Sequence, residues 1–283
     1  MGYLFTTIAR VWETSLAAIG GHLTLSLGGI LFLGFPAAFW CGAYGYALAA
    51  KAGMSLGISF AIGGALAASA GGIFAFFYSR ISNDSFAVIT LASFLALEAL
   101  IRSWDSVTGG VLGIAGVPRF SFAQALRGLV LFEAYVVIPA FILESFLANG
   151  PFGRSLRALK ENKTALIAMG TSANVIGQAA VVFASLFVGV SGILAASRVQ
   201  FLDPSLGGIF LLTQTLTVAI IANTPKTLRL LGVTVAVVLL PEFLRFLDLP
   251  LSILGHARNV LYGFLLIILI YYAAHKTPLK RYV

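Results

Sequence analysis

Residues 151–170 read PFGRSLRALKENKTALIAMG and form the one long polar passage of an otherwise apolar chain. At about 100° per residue, the apolar and charged side chains of this passage separate onto two sides of a helix. Proline suits the first helical position, where its missing N–H costs no hydrogen bond. We therefore expect a short amphipathic helix that begins at Pro151. Its apolar side holds Phe152, Leu156 and Leu159, and its charged side holds Arg154, Arg157 and Glu161.

Four basic residues predict where this helix lies relative to a membrane. A polar helix between two apolar spans cannot cross a bilayer, and arginine and lysine accumulate in cytoplasmic loops. We therefore expect the segment on the cytoplasmic side, as a docking element for a cytoplasmic partner. The alternative is an ordinary basic loop lying on lipid head groups, and the spacing leaves both interpretations open. The basic residues are Arg154, Arg157, Lys160 and Lys163.

The composition of the whole chain indicates a membrane protein. Hydrophobic residues make up 59% of the 283 residues, charged residues make up 10%, and the mean hydropathy is +0.99. A helix needs ~20 apolar residues to cross ~30 Å of hydrocarbon, so this length allows on the order of eight to ten spans and no sizeable soluble domain. We expect about eight to nine membrane-spanning helices. We predict an all-α polytopic membrane protein that forms a single domain over residues 1–283.

Apolar runs predict the individual spans. Residues 3–21 are amphipathic and would either span the bilayer or lie at its interface. Residues 22–50 are long enough for one span, but Gly28, Gly29, Gly34 and Pro36 interrupt them, which predicts a broken helix. Small residues at four-residue spacing predict close packing against another helix in two rows, Gly63–Ala67–Gly71 and Gly64–Ala68–Gly72. The remaining spans are predicted at 56–78, 85–101, 126–148, 173–197, 206–222, 228–244 and 255–274.

Counting spans predicts the orientation of the chain. Four spans separate residues 151–165 from the tail at 275–283, so both would lie on the same side. The turns at 78–84 and 223–229 fall on that side too, and together these segments hold ten of the 18 lysines and arginines. This bias predicts a cytoplasmic C-terminus.

The sequence lacks the motifs of several other classes of protein. There is no GxxxxGKS or GxxxxGKT phosphate loop, so no ATP or other cofactor is expected in this chain. No catalytic or metal-binding residues are predicted, because the three histidines are scattered and no HExxH motif occurs. The net charge of +8 is spread over short loops, which argues against nucleic-acid binding. The N-terminus has no basic start or clean apolar core of a cleaved signal peptide, and Cys41 can form no internal disulfide.

Polar side chains within the predicted spans are candidates for a substrate path. Each is costly in hydrocarbon and tends to face a cavity or a partner helix. The alternative role is interhelical hydrogen bonding, worth ~0.6 kcal/mol per bond on average. Glu133 stands out because a carboxylate within a span is normally protonated, paired or functional. The candidates are His22, Thr24, Ser26, Thr90, Glu133, Asn174, Gln178 and Gln214.

Several short motifs together resemble those of one family, the LivM-type branched-chain amino acid ABC transporter permeases. The resemblance covers nearly the whole chain and begins with LSLGG at 25–29 and GAY at 42–44. The stretch SFAVITL at 85–91 is similar to the family's DYFAIVTL, and DSVTGGVLGIAGVPR at 105–119 to its LTGGxxGIxGIPR. PFGRSLRALKEN at 151–162 resembles SPFGRALRAIREN, and residues 241–245 stand where the family has LPELLR. The sequence differs from the family pattern at residues 220–232, where members of the family have a glycine-rich turn.

The resemblance implies that transport, ATP hydrolysis and substrate delivery are carried out by different subunits. Such permeases pair with a second, LivH-like permease and sit on two cytoplasmic ATP-binding subunits, which bind ATP and Mg. A periplasmic or lipid-anchored substrate-binding protein delivers the substrate. The segment 151–170 would contain the coupling helix, through which conformational changes of the ATP-binding subunits reach the permease. Its coupling residues would be Phe152, Gly153, Arg154, Leu156, Arg157, Ala158 and Glu161.

The resemblance implies a permease subunit of an ATP-driven importer for branched-chain or other small amino acids, working by alternating access and not as an enzyme. Helix N-termini at the broken segments could hold the substrate carboxylate. Similar motifs in relatives that move urea, amides or aromatic acids leave those substrates as alternatives. A self-sufficient ion-coupled carrier that uses Glu133 and Glu98 as proton sites is a further alternative. An intramembrane enzyme is disfavoured because no nucleophile and base pair is visible.

Overall fold

The computed structural model describes residues 2–119, 124–223 and 226–240, together with positions 260, 263–264 and 267–268. The described chain is almost entirely helical. A π-helical segment, His22–Leu27, continues α1, and a two-stranded antiparallel pair joins β1 (Ile114–Ala115) to β2 (Phe201–Leu202). The α-helices are α1 Gly2–Gly21, α2 Phe35–Lys51, α3 Leu56–Tyr78, α4 Asn83–Ser103, α5 Asp105–Thr108, α6 Leu126–Asn149, α7 Pro151–Glu161, α8 Lys163–Ala168, α9 Ala173–Val199, α10 Ile209–Ala222 and α11 Thr227–Leu239. Short 3₁₀ turns occupy Gly110–Leu112 and Pro204–Gly207.

Five described helical segments are long and apolar enough to cross a membrane, which confirms the all-α polytopic class. Their bounds agree with the predicted spans at 56–78, 85–101, 126–148, 173–197 and 206–222 to within a few residues. The segments are Leu56–Tyr78, Asn83–Ser103, Leu126–Asn149, Ala173–Val199 and Pro204–Ala222. Helix α11 begins where the span at 228–244 was predicted. The end of that span and most of the span at 255–274 lie outside the described residues.

The turns between helices gather on two faces of the bundle. On the first, which we name the α7 face, Lys160 of α7 reaches the turn after α1 and the turn after α10, and Asn83 reaches Gly29. On the opposite face, β1 pairs with β2 and Arg119 donates to the carbonyl oxygen of Ser197. Of the basic segments predicted to share one side, the described parts do so, since residues 79–83 and Asn223 lie on the α7 face with α7.

Helix α9 forms the centre of the bundle and packs against α1, α2 and α3. Small residues allow this close approach, as in other membrane helix pairs. Gly42 of α2 lies directly against the backbone of Gly189, and Ala67 of α3 contacts Gly189 from the other side. The predicted packing row Gly63–Ala67–Gly71 is buried against α9. The second row does not pack in the same way, because a Cβ at Gly72 would meet nothing within 4 Å.

The prediction that residues 22–50 form one broken span is wrong, because the chain reverses within these residues. His22–Leu27 extend α1 to the α7 face, and the chain then reverses, so that α2 returns towards the opposite face, where Lys51 donates to the carbonyl oxygen of Ala115. The reversal at 28–34 uses a positive φ of 64° at Gly29, which favours glycine. Residues 3–21, whose placement the sequence left open, form a helix buried against α6, α9, α10 and α11.

Aromatic rings pack around the reversal. The ring of Phe32 is fully buried and contacts the rings of Phe74 and Phe86, with centroids 5.3 and 5.9 Å away. Thr90 of α4 accepts a hydrogen bond from the backbone N–H of Leu33 at 3.2 Å. This contact gives a role to one of the predicted polar span residues, because it satisfies a donor that the broken helix leaves unpaired.

Candidate functional site

The amphipathic helix predicted at the start of the polar passage is observed as α7. It begins at Pro151 in the first helical position and ends at Glu161. Leu156 and Leu159 are buried and Phe152 is half-buried, while Arg154 and Glu161 are exposed. The apolar side therefore packs on the bundle, and the charged side faces away from it. Asn162 caps the short helix α8 that follows, accepting from the backbone N–H of Ala165 at 3.0 Å.

Gly153 fixes the sharp reversal between α6 and α7. A methyl group at this position would overlap the carbonyl oxygens of Leu147 and Ala148 in the last turn of α6. Only glycine therefore allows α7 to fold back so closely. The apolar pattern of the helix gives no reason to expect a buried residue here, whereas the family resemblance includes Gly153 among the coupling residues.

Arg154 and Arg157 occupy different environments although they lie one turn apart. Arg157 is half-buried, and its Nη1 donates to the carbonyl oxygen of Ala148 at 2.8 Å. Arg154 is exposed, and its Nη1 lies 3.3 Å from the carbonyl oxygen of Asn149. Both guanidinium groups thus meet carbonyls at the C-terminal end of α6, where a cation is favoured. Arg157 stabilises the corner between α6 and α7, while the charge of Arg154 is exposed to solvent.

Lys160 joins α7 to the ends of two other helices. Its Nζ donates to the carbonyl oxygen of Ser26 at 2.8 Å and to Oδ1 of Asn223 at 3.0 Å. Ser26 lies in the last turn of the π-helical segment that continues α1, and Asn223 follows the last residue of α10. Burial lowers the pKa of Lys160, and the carboxylate of Glu161 opposes that shift. A displacement of α7 would therefore act directly on the ends of α1 and α10.

A buried polar network lies beneath this contact. Nδ1 of His22 and Oε1 of Glu144 are 2.7 Å apart, and both side chains are fully buried. The hydroxyl of Thr227 donates to Oε2 of Glu144 at 2.6 Å. The network therefore ties the start of the π-helical segment to α6 and α11. Like the contacts of Lys160, it holds the α7 ends of several helices together.

A polar cavity of about 560 Å³ opens between α1, α9 and α10, towards the face opposite α7. We name it the polar cavity. An ion pair forms part of its wall: Nε of Arg198 lies 2.6 Å from Oε1 of Glu13, and Nη2 lies 3.0 Å from Oε2. The hydroxyl of Ser191 donates to the backbone oxygen of Glu13 at 2.8 Å. Its other polar walls are Thr6, Arg10, Thr14, Ser205 and Gln214, and its apolar walls include Phe39, Leu206, Phe210 and Leu211.

Glu133 of α6 lies behind this ion pair and does not line the cavity. Its side chain is fully buried, and neither carboxylate oxygen has a hydrogen-bond partner among the described residues. It interacts electrostatically with Glu13, Arg198 and Arg119. Two carboxylates and two guanidinium groups therefore lie close together where α1, α6 and α9 meet.

The structure does not bring the predicted path residues together in one place. Gln214 lines the polar cavity, but the hydroxyls of Thr24 and Ser26 donate to the backbone oxygens of Gly20 and Ala219. His22 belongs to the network with Glu144, and Thr90 supports the reversal at 28–34. Asn174 is exposed and Gln178 is half-buried near the start of α9.

Apart from Gln214 and His22, the candidates chosen from the sequence do not include the residues that form the polar cavity and the buried network. Arg10 and Glu13 were visible only as charges off the apolar side of residues 3–21, and Arg198 stood just beyond a predicted span. Glu144 was hidden because it lies near the end of a span, where a carboxylate can reach water. Charged residues within about two turns of a span end would have been the signal. Among the described residues, no group of three or more His, Cys, Asp and Glu side chains is placed to hold a metal ion.

A bundle of apolar helices with an amphipathic helix docked on one face and a polar cavity that opens towards the other is typical of a membrane transport subunit. Residues 3–278 match the family described as "Branched-chain amino acid transport system / permease component", and the chain belongs to this family. The family consists of transport permeases and not of enzymes. This confirms the LivM-type resemblance that the sequence motifs indicated.

Two curated relatives are similar to this chain. Both are described as "High-affinity branched-chain amino acid transport system permease protein LivM". The one from Escherichia coli (strain K12) is 28% identical, and the one from Salmonella typhimurium is 26% identical. Each match covers 66% of this chain, and the chain spans half the length of these relatives. A solved structure described as "PsaBC from Streptococcus pneumoniae in complex with Fab" is 18% identical with a TM-score of 0.49, covering 98% of this chain and 92% of that one.

Proposed function

We propose that this chain is the membrane-spanning permease subunit of an ATP-driven importer for branched-chain or other small amino acids, working by alternating access. The contact of Lys160 with both Ser26 and Asn223 carries the proposal. A force on α7 would move the ends of α1 and α10, and these two helices line the polar cavity. Such an arrangement suits a subunit that is driven from outside. Family membership and the LivM relatives support the same function.

The proposed assembly contains a second, LivH-like permease and two cytoplasmic ATP-binding subunits that bind ATP and Mg. A periplasmic or lipid-anchored substrate-binding protein completes it. The chain lies in a bacterial inner membrane with about eight to nine spans, and the α7 face and the C-terminus are cytoplasmic. The exposed side chains of Arg154 and Glu161 form the contact with the ATP-binding subunits. Permeases for urea, amides or aromatic acids would use the same architecture with another substrate.

Co-purification tests the proposal. The tagged chain is extracted from its native membrane in mild detergent, and the bound proteins are identified by mass spectrometry. We expect two ATP-binding subunits and a second permease in stoichiometric amounts. Recovery of the folded, monodisperse chain alone would contradict the proposal.

A self-sufficient ion-coupled carrier is a second candidate function, and Glu133 favours it. A buried carboxylate without a hydrogen-bond partner among the described residues is a candidate proton site. The other residue suggested for this role fits less well, because Glu98 pairs with Arg102 at 2.8 Å near the end of α4. Uptake of a radiolabelled amino acid by the isolated chain in liposomes, without ATP and driven by a pH gradient, would support the carrier. Uptake that requires ATP and the partner subunits would support the importer.

A further inference from the structure

We propose that a small pocket on the α7 face binds a phosphate group, carried either by a lipid head group or by a free phosphate. The pocket has a volume of about 250 Å³ and lies where the reversal at 28–34, the turn between α3 and α4 and the junction of α7 with α8 meet. We name it the lysine pocket. It is separate from the polar cavity and does not depend on the proposed function. Its polar side chains belong to Tyr78, Ser82, Asn83, Lys160 and Lys163.

The charge of the lysine pocket favours an anion. Two lysines line it and no carboxylate does, so the charge of its walls is positive. Asp84 and Glu161, the acidic residues next to the walls in sequence, are exposed and do not line it. Arg80, whose guanidinium lies 4.4 Å from the centre of the Phe76 ring, belongs to the same turn between α3 and α4. The sum of charges therefore stays positive when these neighbours are included, and it attracts a negative ligand.

Both lysines keep donors for a ligand. An ammonium group carries three N–H donors. Lys160 uses two of them, for the carbonyl oxygen of Ser26 and for Oδ1 of Asn223, so one remains. Lys163 is exposed and makes no hydrogen bond or ion pair within the described part of the chain. Lysine binds phosphate as a point charge. A phosphate group can therefore bind here while both hydrogen bonds of Lys160 stay intact.

The start of α4 adds uncharged donors. Asn83 is the first residue of this 21-residue helix, and its side-chain amide donates to the carbonyl oxygen of Gly29 at 3.1 Å. The amide has a second N–H, which remains for a ligand. The backbone N–H groups of the first turn have no acceptor within the helix, and the hydroxyl of Ser82 satisfies that of Ser85. The positive end of a long helix is a favourable place for a phosphate.

The donors suit a phosphate better than a carboxylate, because they come from α4, α7 and α8. A carboxylate has two oxygens in one plane, whereas a phosphate monoester has three acceptor oxygens that point in different directions. The bound group would join α7 and α8 to the start of α4. The contacts of Lys160 with Ser26 and Asn223 form without it, so transport does not require the ligand.

Protection of a lysine from acetylation tests the site. The full-length chain is purified in dodecyl maltoside, which contains no phosphate, and is labelled with sulfo-N-hydroxysuccinimidyl acetate. Mass spectrometry gives the rate at Lys163 and at Lys51, an exposed lysine on the opposite face that serves as the internal reference. Inorganic phosphate, dioctanoyl-phosphatidylglycerol and acetate are added separately, and sodium chloride keeps the ionic strength constant.

We expect a bound phosphate group to slow acetylation of Lys163 roughly tenfold at about ten times its half-protecting concentration, because only the unoccupied fraction reacts. Acetylation of Lys51 should not change, and acetate should not protect Lys163. Protection by phosphatidylglycerol alone identifies a lipid head group as the source. Protection by inorganic phosphate shows that a free phosphate suffices.

Two variants separate the site from a general effect of surface charge. Lys160→Gln should abolish protection of Lys163, whereas Arg154→Gln, which removes an exposed cation of α7 outside the pocket, should preserve it. Lys160→Gln also removes two hydrogen bonds from the fold. Lys163→Gln removes none and is the second test, in which Lys160 should lose its protection from acetylation.

The inference is overturned if neither phosphate compound protects Lys163, or if acetate protects it equally, and these two results need no mutation. Protection of Lys160 that survives Lys163→Gln would overturn it too. Loss of protection in Arg154→Gln would show that the phosphate responds to the charge of the whole face, and would also overturn it. The proposed function stands in each of these cases, because co-purification tests it separately.

Discussion

Lys160 of α7 donates a hydrogen bond to the carbonyl oxygen of Ser26, 134 residues earlier in the chain, at a distance of 2.8 Å. Ser26 belongs to the π-helical end of α1, and the other end of α1 lines the polar cavity. The same ammonium group donates to Asn223, which follows α10. Helix α10 also lines the cavity. One side chain thus connects the helix at the α7 face with two walls of the cavity, through a chain of direct contacts.

Lys160→Met should uncouple ATP hydrolysis from uptake. The substitution keeps most of the apolar stem but removes two hydrogen bonds from a charged donor, each worth ~1.5–3 kcal/mol. We expect amino acid uptake to fall at least about tenfold, equivalent to ~1.4 kcal/mol. The amount of complex and its ATP hydrolysis should change little. Lys163→Met, which removes an exposed lysine in α8, is the control and should transport normally. Normal uptake by Lys160→Met would show that the bridge is not needed.

Arg157→Glu should abolish uptake while the protein remains in the membrane. It places a carboxylate against the carbonyl oxygen of Ala148 at the negative end of α6, where like charge is unfavourable. Membrane fractions and radiolabelled uptake give the two readings. Full transport by this variant would refute a coupling role for the residue.

Arg154→Glu should separate partner binding from folding. Since Arg154 is exposed, its replacement should change the free energy of unfolding by no more than ~0.5 kcal/mol. The amount of ATP-binding subunit that co-purifies should fall several-fold, because the charge reversal lies on the outer side of α7. Undiminished co-purification would show that the docking surface does not include this side of the helix.

Gly153→Ala should destabilise the corner between α6 and α7. The added methyl group overlaps the carbonyl oxygens of Leu147 and Ala148, and overpacking of this kind costs ~1–3 kcal/mol. A lower thermal midpoint and reduced uptake are expected, measured by size-exclusion chromatography after heating and by transport assay. Gly72→Ala in α3 is the matched control, because its Cβ would meet nothing within 4 Å. Equal midpoints for the two variants would contradict the packing argument.

Glu144→Ala should lower the free energy of unfolding by ~3 kcal/mol, since removal of one partner from a buried pair leaves the other poorly compensated. His22 loses this acceptor and Thr227 loses the partner of its hydroxyl. The thermal midpoint of the purified complex is the measurement. Asp84→Ala removes an exposed carboxylate from α4 and should change the midpoint little. A midpoint for Glu144→Ala equal to that of Asp84→Ala would mean that the network does not stabilise the fold.

Local patterns predicted the helices well. The spans at 56–78 and 126–148 were located to within one residue, because a predominantly apolar run bounded by turn residues is visible in the sequence itself. The amphipathic helix from Pro151 was visible for the same reason, since its period and its proline are local features. The reversal at 28–34 was not predicted, because glycine and proline mark a break in a helix without showing whether the chain continues or turns back.

The sequence by itself determined that this chain is a helical membrane protein of the permease family, with a polar helix between spans. Only the tertiary structure decided which polar side chains meet. His22 and Glu144 are 122 residues apart in sequence, and Glu13 and Arg198 are 185 apart. Hydropathy and helical period are properties of neighbouring residues, whereas these pairs form because α9 and its small-residue contacts set the positions of distant helices. The polar cavity and the bridge at Lys160 are therefore products of packing, and no single stretch of sequence contains them.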